Sequence, residues 1–335
     1  MTKDIGVGVI GLGMGRNMLD INADSQSRME VRAICDANEE VLRKVQAGSG
    51  VPFATTRYEE LLARTDISVV GIYTPDDLHA EHIAAALAAG KHVICTKPMV
   101  VSLEEAQRVV SMVRQSGRKF MVGQTCRFVP QFMAAKKMYE DGDLGRPLFA
   151  EAHYVHDMRP VLDATPWRWQ HPQDFMYGGA CHPIDLLRWF FGDVDEVFTY
   201  AAKSGMDPRY HQPDNFLISL RFKSGVMARI LAVFGLVEPP LPMLGLGIYG
   251  SAGSLVNDSF VLDKIEGKPV MKMSFAHEGG HGREVWRYMR HFEDCLINEK
   301  RPLIDEVEGA KVIATCSACW ESVRTGLPTK VVNEF

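Results

Sequence analysis

No stretch of this 335-residue chain supplies the roughly 18 consecutive apolar residues that a membrane-spanning helix needs. A basic surplus is missing too. Lys and Arg total 37 against 42 Asp and Glu, a net charge of -5, which is the wrong sign for a protein that grips a phosphate backbone. Nucleic acid is therefore not expected as a partner, and neither is a membrane. Cysteine is sparse and odd in number, seven in all, scattered without a disulfide-like spacing. That usage reads as reduced thiols of the cytoplasm. Met1-Thr2-Lys3-Asp4 leads straight into a strand pattern, so no secretory leader is expected. Repeats and low-complexity segments are lacking as well.

With 46% hydrophobic and 24% charged residues, the composition is that of a globular protein, and the length suggests two domains. The first 125 residues alternate apolar strands with helical patterns. Strands are expected at Ile5–Ile10, Glu30–Cys35, Ser68–Tyr73, His92–Cys95 and Lys119–Gly123, with helices at His79–Ala89 and Leu103–Gln115. This order predicts an α/β domain, a doubly wound parallel sheet with helices on both faces. After a helix at Pro130–Glu140, strands dominate: Leu148–Val155, Val194–Ala202, Phe216–Phe222, Val226–Val233 and Leu244–Tyr249. Helices over Arg283–Asn298 and Glu306–Arg324 close the chain. Residues 126–335 thus read as an α+β domain with a large, mostly antiparallel sheet, its last helix expected to pack back on the first domain.

The junction after the first strand carries Gly11-Leu12-Gly13-Met14-Gly15-Arg16. Glycines there let the backbone approach a pyrophosphate, and the following helix start offers free amides. The third glycine of the dinucleotide fingerprint belongs at position 16, where Arg16 stands; it either reaches the phosphates or is simply solvated. Asp36 ends the second strand about 20 residues past the turn, where a carboxylate accepts both ribose hydroxyls of NAD. The competing role for Asp36 is to cap the next helix. Ala37 and Asn38 supply no cation for a 2′-phosphate, so NAD is favoured over NADP.

Residues further on resemble a known family. Thr74-Pro75 followed by His79, Ala89-Gly90-Lys91-His92-Val93, Lys97-Pro98 with Glu105-Ala106, Arg127-Phe128, Trp167-Arg168, Gly179–Gly192 and the closing Gly326-Leu327-Pro328 occur in order along the chain. Together they are similar to the Gfo/Idh/MocA oxidoreductases, the glucose-fructose oxidoreductase and inositol dehydrogenase family. The resemblance implies a Rossmann domain and NAD-dependent hydride transfer at a secondary alcohol of a sugar, polyol or glycoside. It implies Lys97 and His182 as the catalytic pair, the histidine as base and the lysine as donor to the developing alkoxide, with Asp185 as an assistant. The cofactor set it implies is Gly11, Gly13, Met14, Gly15, Arg16, Asp36, Thr74, Pro75, His79, Lys97, Gln124 and Arg168. Arg127, His156, Trp167 and His182 are expected at the substrate, and a homodimer or homotetramer through the second sheet, including the apolar stretch Val233–Leu246.

Two positions depart from the family pattern. Thr96 stands where relatives place Glu before Lys-Pro, and Gly178 where they often place Asp four residues before the histidine. Two other functions remain open, an NAD-using glycosidase working by oxidation and elimination, and a non-catalytic sensor of NAD or sugar. For Arg127 and Arg168 the alternative role is a salt bridge at the domain seam; for His182 it is a helix cap. Strand alternation sets His153 and His156 on opposite faces. No metal is expected. Cys316-x-x-Cys319 reads as buried thiols on one helix, and His277 with His281 as part of a glycine-rich loop.

Overall fold

The computed structural model describes residues 2–275 and 285–335. His277 and His281 lie outside the described residues. Two compact units emerge. One comprises residues 2–125, 285–310 and Phe335, the other 126–275 and 311–334.

The first unit is built on six parallel strands, β1 (Ile5–Ile10), β2 (Met29–Cys35), β3 (Phe53–Thr55), β4 (Val69–Ile72), β5 (His92–Thr96) and β6 (Phe120–Gly123). Their order is β3-β2-β1-β4-β5-β6, the doubly wound Rossmann arrangement with its reversal point between β1 and β4. The central strands read as continuous apolar runs because helices cover both faces; Val7, Val9, Val69, Val70, Val93 and Ile94 are fully buried. Strand order, not chain direction, reverses between the parallel neighbours β1 and β4, so the connections after them leave to opposite sides and open a crevice at the carboxyl ends of the strands. The helix Val285–Ile297 belongs to this unit. Ser27 donates to Glu293 at 2.9 Å, and the Val122 amide donates to the Ile304 carbonyl at 2.8 Å. The final helix, Glu306–Thr325, belongs to the second unit from Lys311 onward.

The second unit carries nine strands: β7 (Pro147–Val155), β8 (Val194–Ala202), β9 (Asn215–Phe222), β10 (Met227–Val233), β11 (Leu244–Gly250), β12 (Gly253–Val256), β13 (Ser259–Leu262), β14 (Met271–Lys272) and β15 (Thr329–Lys330). The order is β14-β13-β12-β11-β7-β10-β9-β8-β15. Only β7 and β10 run parallel among these pairs. Alternation sends Phe216, Ile218, Leu220 and Phe222 to one face, where they are buried, and Leu217, Ser219 and Arg221 to the other, where they are exposed. Residues 234–243 of the apolar stretch form a loop, and only its end enters β11. No helix among the described residues is long and apolar enough to cross a membrane.

Candidate active site

In the first unit the candidate residues collect at the carboxyl ends of β1, β2, β4, β5 and β6. Gly11 has φ +88°, a left-handed backbone that favours glycine, and its amide donates to Cys35 at 2.8 Å. The close approach that a third glycine normally permits is made by Gly15. A Cβ there would stand 2.9 Å from Val9 Cγ1 and 3.1 Å from the Tyr73 side chain. The fingerprint is displaced by one residue because the segment after the turn is a tight 3-10 helix, Gly15–Ala23, which places Gly15 against β1 and β4. Arg16 is therefore not a failed glycine; it points outward and is exposed, as is Met14. Around Gly13 the space is open, with nothing within 4 Å of a built Cβ.

Asp36 is half-buried and reaches back to the turn. Its Oδ2 accepts from the Leu12 amide at 2.8 Å, and Oδ1 accepts from the Asn38 amide at 2.9 Å. The helix that follows is capped by Asn38, whose Oδ1 accepts from Glu40 and Val41. The capping role goes to the asparagine, and the carboxylate fixes the glycine turn at the edge of the crevice.

Thr74 and Pro75 follow β4, and Lys97, half-buried, follows β5 with a cis bond to Pro98. His79 sits between these two loops without reaching the surface. Its Nδ1 lies 2.7 Å from the Pro98 carbonyl oxygen and its Nε2 3.0 Å from that of Thr74, and it is 0% exposed. It holds the loops rather than facing a ligand. Thr74 Oγ1 also meets His82 Nδ1 at 2.9 Å. Gln124, just past β6, is 1% exposed, and its Oε1 has no hydrogen-bond partner among the described residues. A buried carbonyl oxygen in that condition calls for a donor. With the open glycine turn and the ribose-spaced Asp36, it makes this crevice fit a dinucleotide. Tyr73 was not singled out from the sequence. Its carbonyl oxygen would stand 2.5 Å from a Cβ at Gly11, and its hydroxyl meets that of buried Tyr288. The only sequence signal for it was its place directly after β4.

In the second unit the helix Cys181–Phe191 is preceded by a single π-type turn, Met176–Ala180, a feature frequent at functional sites. His182 lies on its first turn, 1% exposed, with Nδ1 3.7 Å from Cys126 Sγ. The Tyr154 ring stands edge-on to it at 5.4 Å, and His156 stacks on Tyr154 at 6.3 Å. Burial raises the Tyr154 hydroxyl well above its ordinary pKa. His153 points to the other face and meets the Pro242 carbonyl oxygen at 2.9 Å. Neighbouring Gly179 is required by Phe234, whose Cζ would lie 2.3 Å from a Cβ.

Arg127 and Asp185, expected at the substrate and beside the histidine, are brought to each other. Nη2 donates to Oδ1 at 2.7 Å and Nε to Oδ2 at 3.0 Å, with 3% and 0% side-chain exposure. This is the ion-pair role considered for Arg127, with both partners in the second unit. Arg168 lies 4.4 Å over the Trp167 ring, and its Nη1 donates to Gln173 Oε1 at 2.7 Å. Gln173 also explains Gly178, since a Cβ at 178 would come within 2.4 Å of its side chain. The last helix anchors this region through Trp320 Nε1, which donates to Asp174 at 2.8 Å, and through Tyr177 and Ser317, 3.0 Å apart. On that helix Cys316 and Cys319 are buried, and burial raises both thiols, Cys319 to about 12.

Comparison with known proteins covers nearly the whole chain. Residues 5–124 match the model described as oxidoreductase family, NAD-binding Rossmann fold, and residues 136–331 match the oxidoreductase family C-terminal alpha/beta domain. An uncharacterized oxidoreductase, YrbE, of Bacillus subtilis is 28% identical over 99% of this chain and 98% of its own length. Inositol 2-dehydrogenase 2 of Saccharopolyspora erythraea is 29% identical over 96% of this chain and 93% of its own. A levoglucosan dehydrogenase solved with NADH and levoglucosan superposes with a TM-score of 0.88, covering 98% of this chain and 100% of its own at 22% identity.

Proposed function

Because the chain belongs to the Gfo/Idh/MocA oxidoreductases, with an NAD-binding Rossmann domain at residues 5–124, we propose that it transfers a hydride between NAD and a secondary alcohol of a sugar, polyol or glycoside. The observation that carries this reading is the setting of His182, an imidazole at the start of a helix fixed by Cys126 and Tyr154. Relatives named inositol 2-dehydrogenase and levoglucosan dehydrogenase support the substrate class.

A carbinol that gives up hydride must also lose its hydroxyl proton. His182 takes that proton, and Lys97 donates to the oxygen as negative charge develops on it. NAD supplies the hydride acceptor. Asp36 would accept from the ribose hydroxyls, the turn at Gly13 would receive the pyrophosphate, and Gln124 Oε1 would accept from an N–H of the bound cofactor. Trp167, Arg168 and His156 bring the aromatic platform and polar groups that a many-hydroxyl substrate requires.

The test is a reduced-nicotinamide absorbance screen with NAD and NADP against inositols, aldoses, glycosides and sugar acids, repeated on Lys97→Met and His182→Asn. Turnover with NAD, lost in both variants while NAD still binds, is expected. NAD carried through purification with glycoside cleavage and no net reduction would point to the oxidation–elimination chemistry. NAD binding without turnover on any substrate would leave a sensor.

The open face of the second sheet carries the proposed homo-oligomer contact. Neighbouring strands align Leu231, Leu217 and Tyr200 on it, at 43%, 44% and 64% exposure, with Met227 at 55%. An apolar patch of this kind is covered in a stable assembly. Light scattering should give a dimer or tetramer, and Leu217→Lys with Leu231→Lys should shift it toward monomer. Seven buried cysteines fit placement in the reducing cytoplasm.

A further inference from the structure

We propose that His79 is held as an imidazolium, donating one N–H to each of two backbone carbonyls and so clamping the Thr74–Pro75 loop to the Lys97–Pro98 loop. Both ring nitrogens face oxygen atoms that only accept, Pro98 at 2.7 Å and Thr74 at 3.0 Å. A neutral imidazole has one N–H. In either tautomer its other nitrogen would set a lone pair against a carbonyl lone pair, in a place with 0% exposure and no room for water to intervene. Only the doubly protonated ring satisfies both contacts.

The surroundings decide whether a buried cation survives there. Burial opposes it. Against this stand the Cys95 sulfur on β5, the Asp76 carboxylate in the preceding loop and the Pro98 carbonyl, and the balance raises His79 to about 10. His82, one turn along the same helix, is driven the opposite way, chiefly by burial and partly by the charge on His79, so the neighbouring ring stays neutral.

The consequence is a positioning role for the lysine. Pro98 is bonded directly to Lys97, so the imidazolium fixes the peptide that carries the reactive amine and ties it to the loop after β4. His79 does this from within the first unit, in the chain without any ligand. Its failure would leave the hydride-transfer reading intact, and the reverse holds as well.

The deciding measurement is side-chain nitrogen NMR on the ¹⁵N-histidine-labelled chain at pH 8, without nucleotide, with the ring assigned through correlations to its own backbone. Two protonated nitrogens on His79, with both N–H protons visible, are expected. One unprotonated nitrogen on His79 at that pH overturns the proposal. His79→Gln supplies a second readout, because its amide serves one carbonyl and carries no charge. Wild type should lose thermal stability relative to His79→Gln as pH rises from about 6.5 through about 10, and Lys97→Met should leave that difference in place. A parallel pH course for wild type and His79→Gln would also refute the clamp as a charged one.

Discussion

Arg127 grips Asp185 through two nitrogens where neither side chain retains more than 3% exposure. A buried ion pair of this geometry adds little over an apolar pair, but removing one partner takes away the charge that compensates the other, which costs about 3–5 kcal/mol. Arg127→Met should therefore lower stability by about that amount. Arg127→Met combined with Asp185→Leu should recover most of it. Urea unfolding midpoints with unchanged slopes are the measurement, and an Arg127→Met single variant as stable as the parent would show the pair to be uncoupled. Asp185 also lies one helical turn after His182, so the single variants should lower turnover even where they remain folded.

Asp36 links the glycine turn to the edge of the crevice through the Leu12 amide. Hydrogen bonds to a charged group contribute about 1.5–3 kcal/mol each. Asp36→Ala should weaken NAD binding on the order of 10- to 100-fold, and affect NADP less, since the lost carboxylate also repels a 2′-phosphate. Calorimetric titration of both nucleotides decides it. Equal losses for the two would remove Asp36 from the ribose site.

Five strands of the six-stranded sheet were legible in the sequence because each is an apolar run between turn residues, Ile5–Ile10 falling where the pattern placed it. The three-residue edge strand β3 was not, while in the second sheet Val194–Ala202 also fell as expected. Gly11, Gly13 and Asp36 were legible for the same local reason. Gly15 was not, because its necessity lies in the approach of Val9 and Tyr73, contacts that no spacing rule reports. Neither was the Arg127–Asp185 pair, whose partners are 58 residues apart. His79 carried a motif signal that pointed at the cofactor, yet both its nitrogens turn inward to carbonyls. The short strands β12 to β15 have two to four residues each, too few for alternation to register.

Gly178 and Gln173 form a complementary pair, the absent Cβ of one making room for the amide of the other. Gly178→Ala should displace Gln173 and release its bond to Arg168 Nη1. Overpacking a filled site costs about 1–3 kcal/mol, and Gln173→Ala in the same chain should return most of it. Substrate KM should rise with Gly178→Ala while NAD affinity holds, because Arg168 loses its anchor and the glycine turn is untouched. If Gly178→Ala alone is neutral in both stability and KM, Gln173 has another place to go and its hold on Arg168 has no consequence.

His92 makes folding sensitive to acid. Burial, followed by repulsion from Arg118 and Lys119, pushes its pKa down to about 4, and its Nδ1 accepts from the Lys119 amide at 2.9 Å, which joins the start of β5 to the approach to β6. The neutral ring is the native form. Its contribution is complete above the unfolded value near 6.5 and is lost as pH falls from there toward 4, because the unfolded chain binds a proton that the folded one refuses. The slope is at most about 1.4 kcal/mol per pH unit and is lessened by the ring's partial contact with water. His92→Asn, whose side-chain oxygen still accepts from an amide, should be less stable than wild type at pH 7 and close the gap by pH 4.5, read from urea midpoints. His82 and His291 are depressed mainly by burial too, but they titrate equally in both chains and drop out of the difference. A constant gap across that range would mean that the His92 proton binds folded and unfolded chains alike.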